Sequence, residues 1–256
     1  IGFVEGDGSF VVNHRKELSF VVIQGINNKQ VLDVIQQTLG FGHILKQGPR
    51  VWRFIVQKKE DLELICLLFN GNIVLPARKL QFSKFLQVYN QKPFSCMDGA
   101  DRAKSCTCLI PYNNAKNLPS LYNTWLLGFV EAEGCFTISL LSNSIAYRTR
   151  FILAQKGDIN LPVLSHLILL FMAGAVSAHH EKDNYQYIVY SLVNVQKVYP
   201  YFDKYIEEFR GIKKISYLKF KDLNLLLEQK QHLDPLKRGL LTQMANEING
   251  ISRKQK

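Results

Sequence analysis

Residues Gly2-Phe3-Val4-Glu5-Gly6-Asp7-Gly8-Ser9-Phe10 return, little changed, as Gly128-Phe129-Val130-Glu131-Ala132-Glu133-Gly134-Cys135-Phe136. Outward from this pair, Phe20-Val21-Val22-Ile23-Gln24 matches Phe151-Ile152-Leu153-Ala154-Gln155, and Phe54-Ile55-Val56 matches Tyr187-Ile188-Val189. A fourth match pairs Arg78-Lys79-Leu80-Gln81-Phe82-Ser83-Lys84-Phe85 with Lys213-Lys214-Ile215-Ser216-Tyr217-Leu218-Lys219-Phe220. The offsets are 126, 131, 133 and 135, in unbroken order. Two copies of one unit that gained residues in loops drift apart in this way.

The first copy spans residues 1–93 and the second 118–256. Residues 94–117 between them are rich in Ser, Asn, Cys and charge, with a poor hydrophobic period, and are read as a linker. Each copy gives the same coarse pattern. A helix ends at the acidic segment, strands follow over 9–15 and to Gln24, or over 135–141 and to Gln155, and a helix covers 28–39 or 161–171. Two strands come next, over 43–46 and 51–57 or 175–179 and 185–191. Helices close the copies at 61–69 and 80–89, then at 195–208 and 214–227. The predicted fold is α+β: two pseudo-symmetric α-β-β-α-β-β-α repeats, each with an antiparallel four-stranded sheet and an extra closing helix.

The chain has 256 residues and a net charge of +11, with 47% hydrophobic residues. It can bury a core, and its charge favours a polyanionic partner: DNA, RNA or an acidic membrane surface. The longest apolar run, 161–172, is too short to span a bilayer and contains Ser165 and His166. Five cysteines argue against a disulfide framework and for a reducing compartment. Cys96, Cys106 and Cys108 lie close together, but a structural zinc site wants a fourth ligand. The sequence starts at Ile1 without an initiator Met and shows no secretory or transit-type leader, which processing can remove.

The repeated segment carries its own chemistry. Gly2 and Gly6 are four apart, so on a helix they share a face, as do Gly128 and Ala132. Small residues at this spacing allow two helix backbones to approach closely. Packing the two helices together brings Asp7 and Glu133 side by side at their C-terminal ends. Acidic residues there oppose the helix dipole and repel each other unless a cation lies between them. Two hard-oxygen ligands suit Mg²⁺, with phosphate and water completing its shell, for phosphodiester hydrolysis. Gly8 and Gly134 are expected to end the helices and turn the chain into strands.

Ile1-Gly2-Phe3-Val4-Glu5-Gly6-Asp7-Gly8 and Leu127-Gly128-Phe129-Val130-Glu131-Ala132-Glu133-Gly134 resemble the LAGLIDADG motif. Two copies at this separation resemble the single-chain homing endonucleases, over nearly the whole chain. Ile1 aligns with Leu127, so about two turns of the first motif helix are expected upstream. The resemblance implies a monomeric, sequence-specific endonuclease that makes a double-strand break at a long asymmetric DNA site. It implies two or three Mg²⁺ ions shared by Asp7 and Glu133, with Ca²⁺ or Mn²⁺ able to substitute, and a structural role for Glu5 and Glu131. It further implies Lys79 and Lys214 as the active-site lysines, with Arg78 and Lys213 as neighbours able to take that role, and Gln24 and Gln155 as water-positioning residues. A fungal mitochondrion is the implied home.

Strand alternation then nominates the DNA surface. Phe10 and Val12 are expected inward, leaving Ser9, Val11, Asn13 and Arg15 outward. Inward Phe136, Ile138 and Leu140 leave Thr137 and Ser139 outward, and inward Phe151 and Leu153 leave Arg148 and Arg150 outward. Arg53 and Gln186 are matched outward positions on the last strands. Two such sheets span a site of roughly 20 bp of double-stranded DNA. The rival readings are a group I intron RNA maturase, which would add intron RNA as a partner, and a non-catalytic DNA-binding regulator. Acidic residues intact in both copies argue against the latter. No intein nucleophile stands at residue 1 and no His-Asn pair ends the chain.

Overall fold

The computed structural model of the chain describes residues 1–91, 109–179 and 181–250. The first half runs α1 (Gly2–Asp7), β1 (Gly8–Val12), β2 (Leu18–Gly25), α2 (Lys29–Leu39), β3 (His43–Gly48), β4 (Val51–Val56), α3 (Lys59–Phe69) and α4 (Pro76–Gln91). The second runs α5 (Trp125–Glu133), β5 (Gly134–Leu140), β6 (Tyr147–Lys156), α6 (Leu161–Phe171), β7 (Ala175–Ala178) and β8 (Asn184–Tyr190). It closes with α7 (Leu192–Val195), α8 (Tyr199–Lys204), α9 (Lys213–Glu228) and α10 (Pro235–Glu247). The sheets are antiparallel with equivalent orders, β1-β2-β4-β3 and β5-β6-β8-β7. No helix among the described residues is long and apolar enough to cross a membrane.

Each sheet buries one face under its own helices. Phe10, Phe20 and Phe54 point into the first core, where Phe69, Phe82 and Phe85 meet them; Phe136, Phe151 and Tyr187 do the same in the second. The opposite sheet faces carry no helix and alternate with these aromatics along the strands. The cores are stitched together across the middle: Ala132 packs against the first, while Val74 and Leu75 belong to the second.

The stitch is the contact between α1 and α5. A Cβ on Gly2 would run into the Trp125 carbonyl, one on Gly6 into the Ala132 Cβ, and one on Gly128 would sit 2.8 Å from the Phe3 amide nitrogen. The expected close approach of small-residue faces is therefore present. Gly8 and Gly134 end the helices as expected, but in extended conformation (φ −92° and −71°) rather than left-handed. What demands glycine is space, since a Cβ there would meet the Val4 or Val130 carbonyl at 2.6 Å.

The largest departures from the sequence reading are three. Strand β1 stops at Val12, because the Asn13 Oδ1 accepts from the Arg15 and Glu17 amides and closes a turn with Lys16 left-handed (φ 58°). Val12, at the strand tip beyond the core, is thus exposed instead of inward, and Arg15 lies on the turn. The helix expected over 195–208 is reduced to α8 between 3₁₀ turns at Gln196–Val198 and Ile206–Glu208, with α7 ending at Val195 and Pro200 in the first turn of α8. Helix α10 was not expected from the sequence, although Asp234 caps it by accepting from the Leu236 amide and Pro235 occupies its first position. Cys96, Cys106 and Cys108, most of the 94–117 segment and the chain end fall outside the described residues.

Candidate active site

Packing α1 on α5 brings their C-terminal residues, Asp7 and Glu133, to one place. Burial raises the pKa of both above the ordinary carboxylate range, and the Asp7 charge pushes Glu133 further in that direction. Two partly desolvated carboxylates side by side at helix C-termini favour a cation between them. Among the described residues no three His, Cys, Asp or Glu side chains gather as a ready-made metal cage. The donor set is two hard-oxygen carboxylates, with Glu133 bordering a cleft, which fits a divalent ion that keeps water and phosphate in its shell.

Each carboxylate has a glutamine. The Gln24 Nε2 donates to the Asp7 Oδ2 at 2.6 Å, and Gln155 hydrogen-bonds Glu133. Both glutamines lie on the core-facing register of their strands, one step past Val22 or Leu153, so they reach toward the helix ends. They are where the sequence reading put them.

The basic residues are Arg78 and Lys213. The Arg78 Nε donates to the Glu5 carbonyl at 2.7 Å and its Nη2 to the Gly6 carbonyl at 2.6 Å. The Lys213 Nζ donates to the Gly134 carbonyl at 2.6 Å. Burial lowers the pKa of each, against the pull of neighbouring carboxylates: Glu133 foremost for Arg78, and Asp7 and Glu133 among those for Lys213. Lys79 and Lys214 are turned away. The Lys79 Nζ donates to the Ala115 carbonyl, and the Lys214 Nζ pairs with Glu207 at 3.0 Å near the surface. One residue along a helix rotates a side chain by about 100°, which separates each adjacent basic pair into one inward and one outward member.

The starts of α4 and α9 are held from both halves. Glu5 accepts from the Val74 and Leu75 amides, and Glu131 from the Arg210 and Gly211 amides. These earlier acids are structural, as read from the sequence. From the opposite half, the Asn160 Oδ1 accepts from the Ala77 amide and the Asn28 Oδ1 from the Ile212 amide. Each asparagine thereby fixes the residue just before the other half's inward basic side chain. Sequence reasoning missed both, although they align at an offset of 132, inside the drift of the repeat.

Two composite corners result. One gathers Asp7, Gln24 and Asn28 with Lys213 of the second half. The other gathers Glu133, Gln155 and Asn160 with Arg78 of the first half, around a cleft of about 530 Å³. A larger cavity, about 910 Å³, lies at the other end of the motif helices beside Ile1 and Trp125 and contains neither carboxylate. The smaller cleft is lined by Glu133, Gln155 and Arg78.

The nominated surface residues divide by sheet. Ser9 and Arg53 lie half-buried on the open face of the first sheet, and Asn13 and Arg15 form its hairpin turn. Thr137, Ser139, Arg148, Arg150 and Gln186 share the open face of the second sheet. There the Gln186 Nε2 donates to the Ser177 Oγ, and the Arg150 Nε is buried without a hydrogen-bond partner.

Two pseudo-symmetric α+β halves, joined through small-residue helices that end in paired carboxylates, define a duplicated α+β scaffold as a class. The chain belongs to the LAGLIDADG endonuclease family, whose model matches residues 1–89 and 126–224. It is 32% identical over 255 residues to the probable intron-encoded endonuclease 4 of Neurospora crassa, covering 97% of this chain and 43% of that protein. The chain thus spans less than half the length of that relative. It is 26% identical over 231 residues to the probable intron-encoded endonuclease aI3 of Dictyostelium discoideum, covering 86% of this chain and 94% of that protein. The fold is similar to that of the I-SmaMI LAGLIDADG homing endonuclease bound to cleaved DNA, with a TM-score of 0.75, 20% identity, and coverage of 97% and 95% of the two chains.

Proposed function

We propose that this chain is a homing endonuclease that acts as a monomer and cuts both strands of one long, asymmetric DNA site with a divalent metal, Mg²⁺ by preference. The observation that carries this reading is the pair of composite corners, in which Asp7 and Glu133 stand together with one glutamine and one cation each. Asp7 and Glu133 would hold the metal. When bound, it supplies an activated water and neutralises charge at the scissile phosphates.

The chain's own residues do the rest. Gln24 and Gln155 fix the carboxylates that they hydrogen-bond, and their remaining amide capacity can orient water. Arg78 and Lys213 supply fixed positive charge where negative charge develops on the phosphoryl oxygens. Lys79 and Lys214 stand outside this machinery, so the role foreseen for them passes to their neighbours. The open faces of the two sheets would lie in the major groove on either side of the corners, covering roughly 20 bp. Their residues differ at matched positions, with Arg53 opposite Gln186, so two identical half-sites would not suit both. The intron-encoded relatives support a mitochondrial intron as the source.

The test is a plasmid carrying a site selected from a randomised duplex library. With Mg²⁺ the purified chain should linearise it at equimolar protein, and the recovered site should lack inverted symmetry. An intact plasmid under these conditions, or a perfect inverted repeat cut only by a dimer, overturns the reading.

A further inference from the structure

The open faces of the two sheets are made of different chemistry. On the first, the register puts Val11, Val21, Ile23, Leu45 and Ile55 on the same side as Arg53. Ile23 is 45% exposed and Leu45 43%, and they flank Arg53 across its two neighbouring strands. Val11 and Val51 are exposed on this face as well. On the second sheet the equivalent face keeps Ile152 and Ile188 and exposes Tyr190, but Thr137 and Ser177 stand where the first sheet has Val11 and Leu45, beside Ser139, Arg148, Arg150 and Gln186. The register position of Ile23 holds Ala154 there, opposite Gln186.

A solvated sheet face is ordinarily polar, and a row of exposed aliphatic side chains marks a surface that something apolar covers. We propose that the first sheet reads thymine: its aliphatic strip packs against the 5-methyl groups of thymines in the major groove of one half-site. The second sheet, by contrast, reads base edges through hydrogen bonds. The inference rests on the DNA reading given above and adds which bases the first half prefers.

Three features favour this occupant. The thymine methyl is the one apolar group that any base presents in the major groove. Basic residues cap the strip at both ends, Arg15 and Lys16 on the β1–β2 turn and Arg50 on the β3–β4 turn, where phosphates would flank a groove. Arg53 stands in the middle of the strip. Against an apolar protein partner its guanidinium would be desolvated without a counter-charge, which is costly; in the groove it meets guanine acceptors or phosphate. An RNA helix fits poorly, since uracil lacks the methyl and the A-form major groove is too narrow for side chains.

The experiment selects the preferred site from a randomised duplex library without divalent metal. The recovered site is then resynthesised with uracil in place of thymine, one half at a time. One half should lose about fourfold in affinity for each contacted methyl removed, and the other should change by less than about twofold. Ile23→Ala and Leu45→Ala, both at exposed positions, should weaken binding to the thymine site, show no further loss on uracil, and so identify the sensitive half as that of the first sheet. The idea is overturned by uracil tolerance in both halves, or by sensitivity that survives both variants. It is also overturned by concentration-dependent dimerisation that Leu45→Arg abolishes. Failure to recover any preferred DNA site instead overturns the DNA reading on which it rests.

Discussion

The corner around Asp7 and the corner around Glu133 use the same four kinds of part and wire them differently. At Asp7, the Asn28 Nδ2 donates to the Gln24 Oε1 at 2.7 Å, and the Gln24 Nε2 donates to the carboxylate. With the Ile212 amide donating to Asn28, an unbroken chain of hydrogen bonds runs from the start of α9 to the carboxylate of the other half. At Glu133, the Asn160 Nδ2 donates instead to the Lys156 carbonyl, so Gln155 is held without the asparagine. The cations differ too. Arg78 is bound to two backbone carbonyls of α1 by a rigid fork, and Lys213 to one carbonyl by a flexible stem. Divergence after duplication kept the reciprocal crossing of halves and let the local wiring drift. Neither half owns a complete corner.

The harshest way to break the comparison is to remove one carboxylate. Asp7→Asn and Glu133→Gln should each lower double-strand cleavage by at least about 10³-fold, since each takes away a ligand of the proposed shared metal. Binding to the site should stay within about threefold. Cleavage and gel-shift assays on the same duplex decide it, and near-normal cutting by either variant removes that carboxylate from the site.

Replacing the cations should separate the corners. Arg78→Met and Lys213→Met should each slow cleavage by about 10²-fold, with nicked intermediate accumulating and opposite strands left uncut. Lys79→Met and Lys214→Met should stay within about twofold, because their ammonium groups bond Ala115 and Glu207. Strand-labelled substrates read both effects. The reverse ranking would return the role to Lys79 and Lys214.

The asparagines test the wiring itself. Asn28→Ala cuts the chain to Gln24 and should slow cleavage about tenfold with little change in the substrate concentration at half-maximal rate. Asn160 is 1% exposed and bonds only backbone groups. Asn160→Ala should therefore cost stability, by about 1–3 kcal/mol of unpaired buried amides, more than it costs rate. Comparable effects of both on rate and stability would mean that the two corners are wired alike in solution.

How much of this was legible follows from the repeat. The matched segments placed three of the four strand pairs and both carboxylates, because burial patterns and small-residue spacing leave periodic traces in a sequence. The choice between Arg78 and Lys79, or Lys213 and Lys214, left no such trace. Both members of each pair match across the repeat, and only the phase of α4 and α9, set by the Glu5 and Glu131 caps, turns one inward. The crossing of halves was equally hidden, since Asn28 and Asn160 act on a partner 184 or 83 residues away. Asn13 read as a strand residue for a related reason: alternation continues through it, while its side chain closes the turn on Arg15 and Glu17.

The smallest expected effect is on stability against pH, and its sign follows from the shared feature of both corners. Burial raises the folded-state pKa of Asp7 and Glu133. Between the unfolded and folded values the native chain therefore holds protons that the unfolded chain has lost. Its stability is greatest below the unfolded pKa and falls as pH rises through the folded one. Above the folded pKa the metal-free protein carries that penalty in full. Asp7→Asn should lift the penalty at its corner and raise Tm by about 2–4 °C per kcal/mol recovered in a chain of this size, while flattening the acid side of the profile. Millimolar Mg²⁺ or Ca²⁺ should raise the Tm of the unsubstituted protein and leave Asp7→Asn less changed, since bound metal supplies the missing positive charge and stabilises by mass action. Thermal unfolding from pH 5 to pH 8, with and without metal, reads all four conditions. A metal-free Tm that climbs with pH, or a metal response that the substitution leaves intact, would mean that these two carboxylates are not the buried charges held in check at the centre of the molecule.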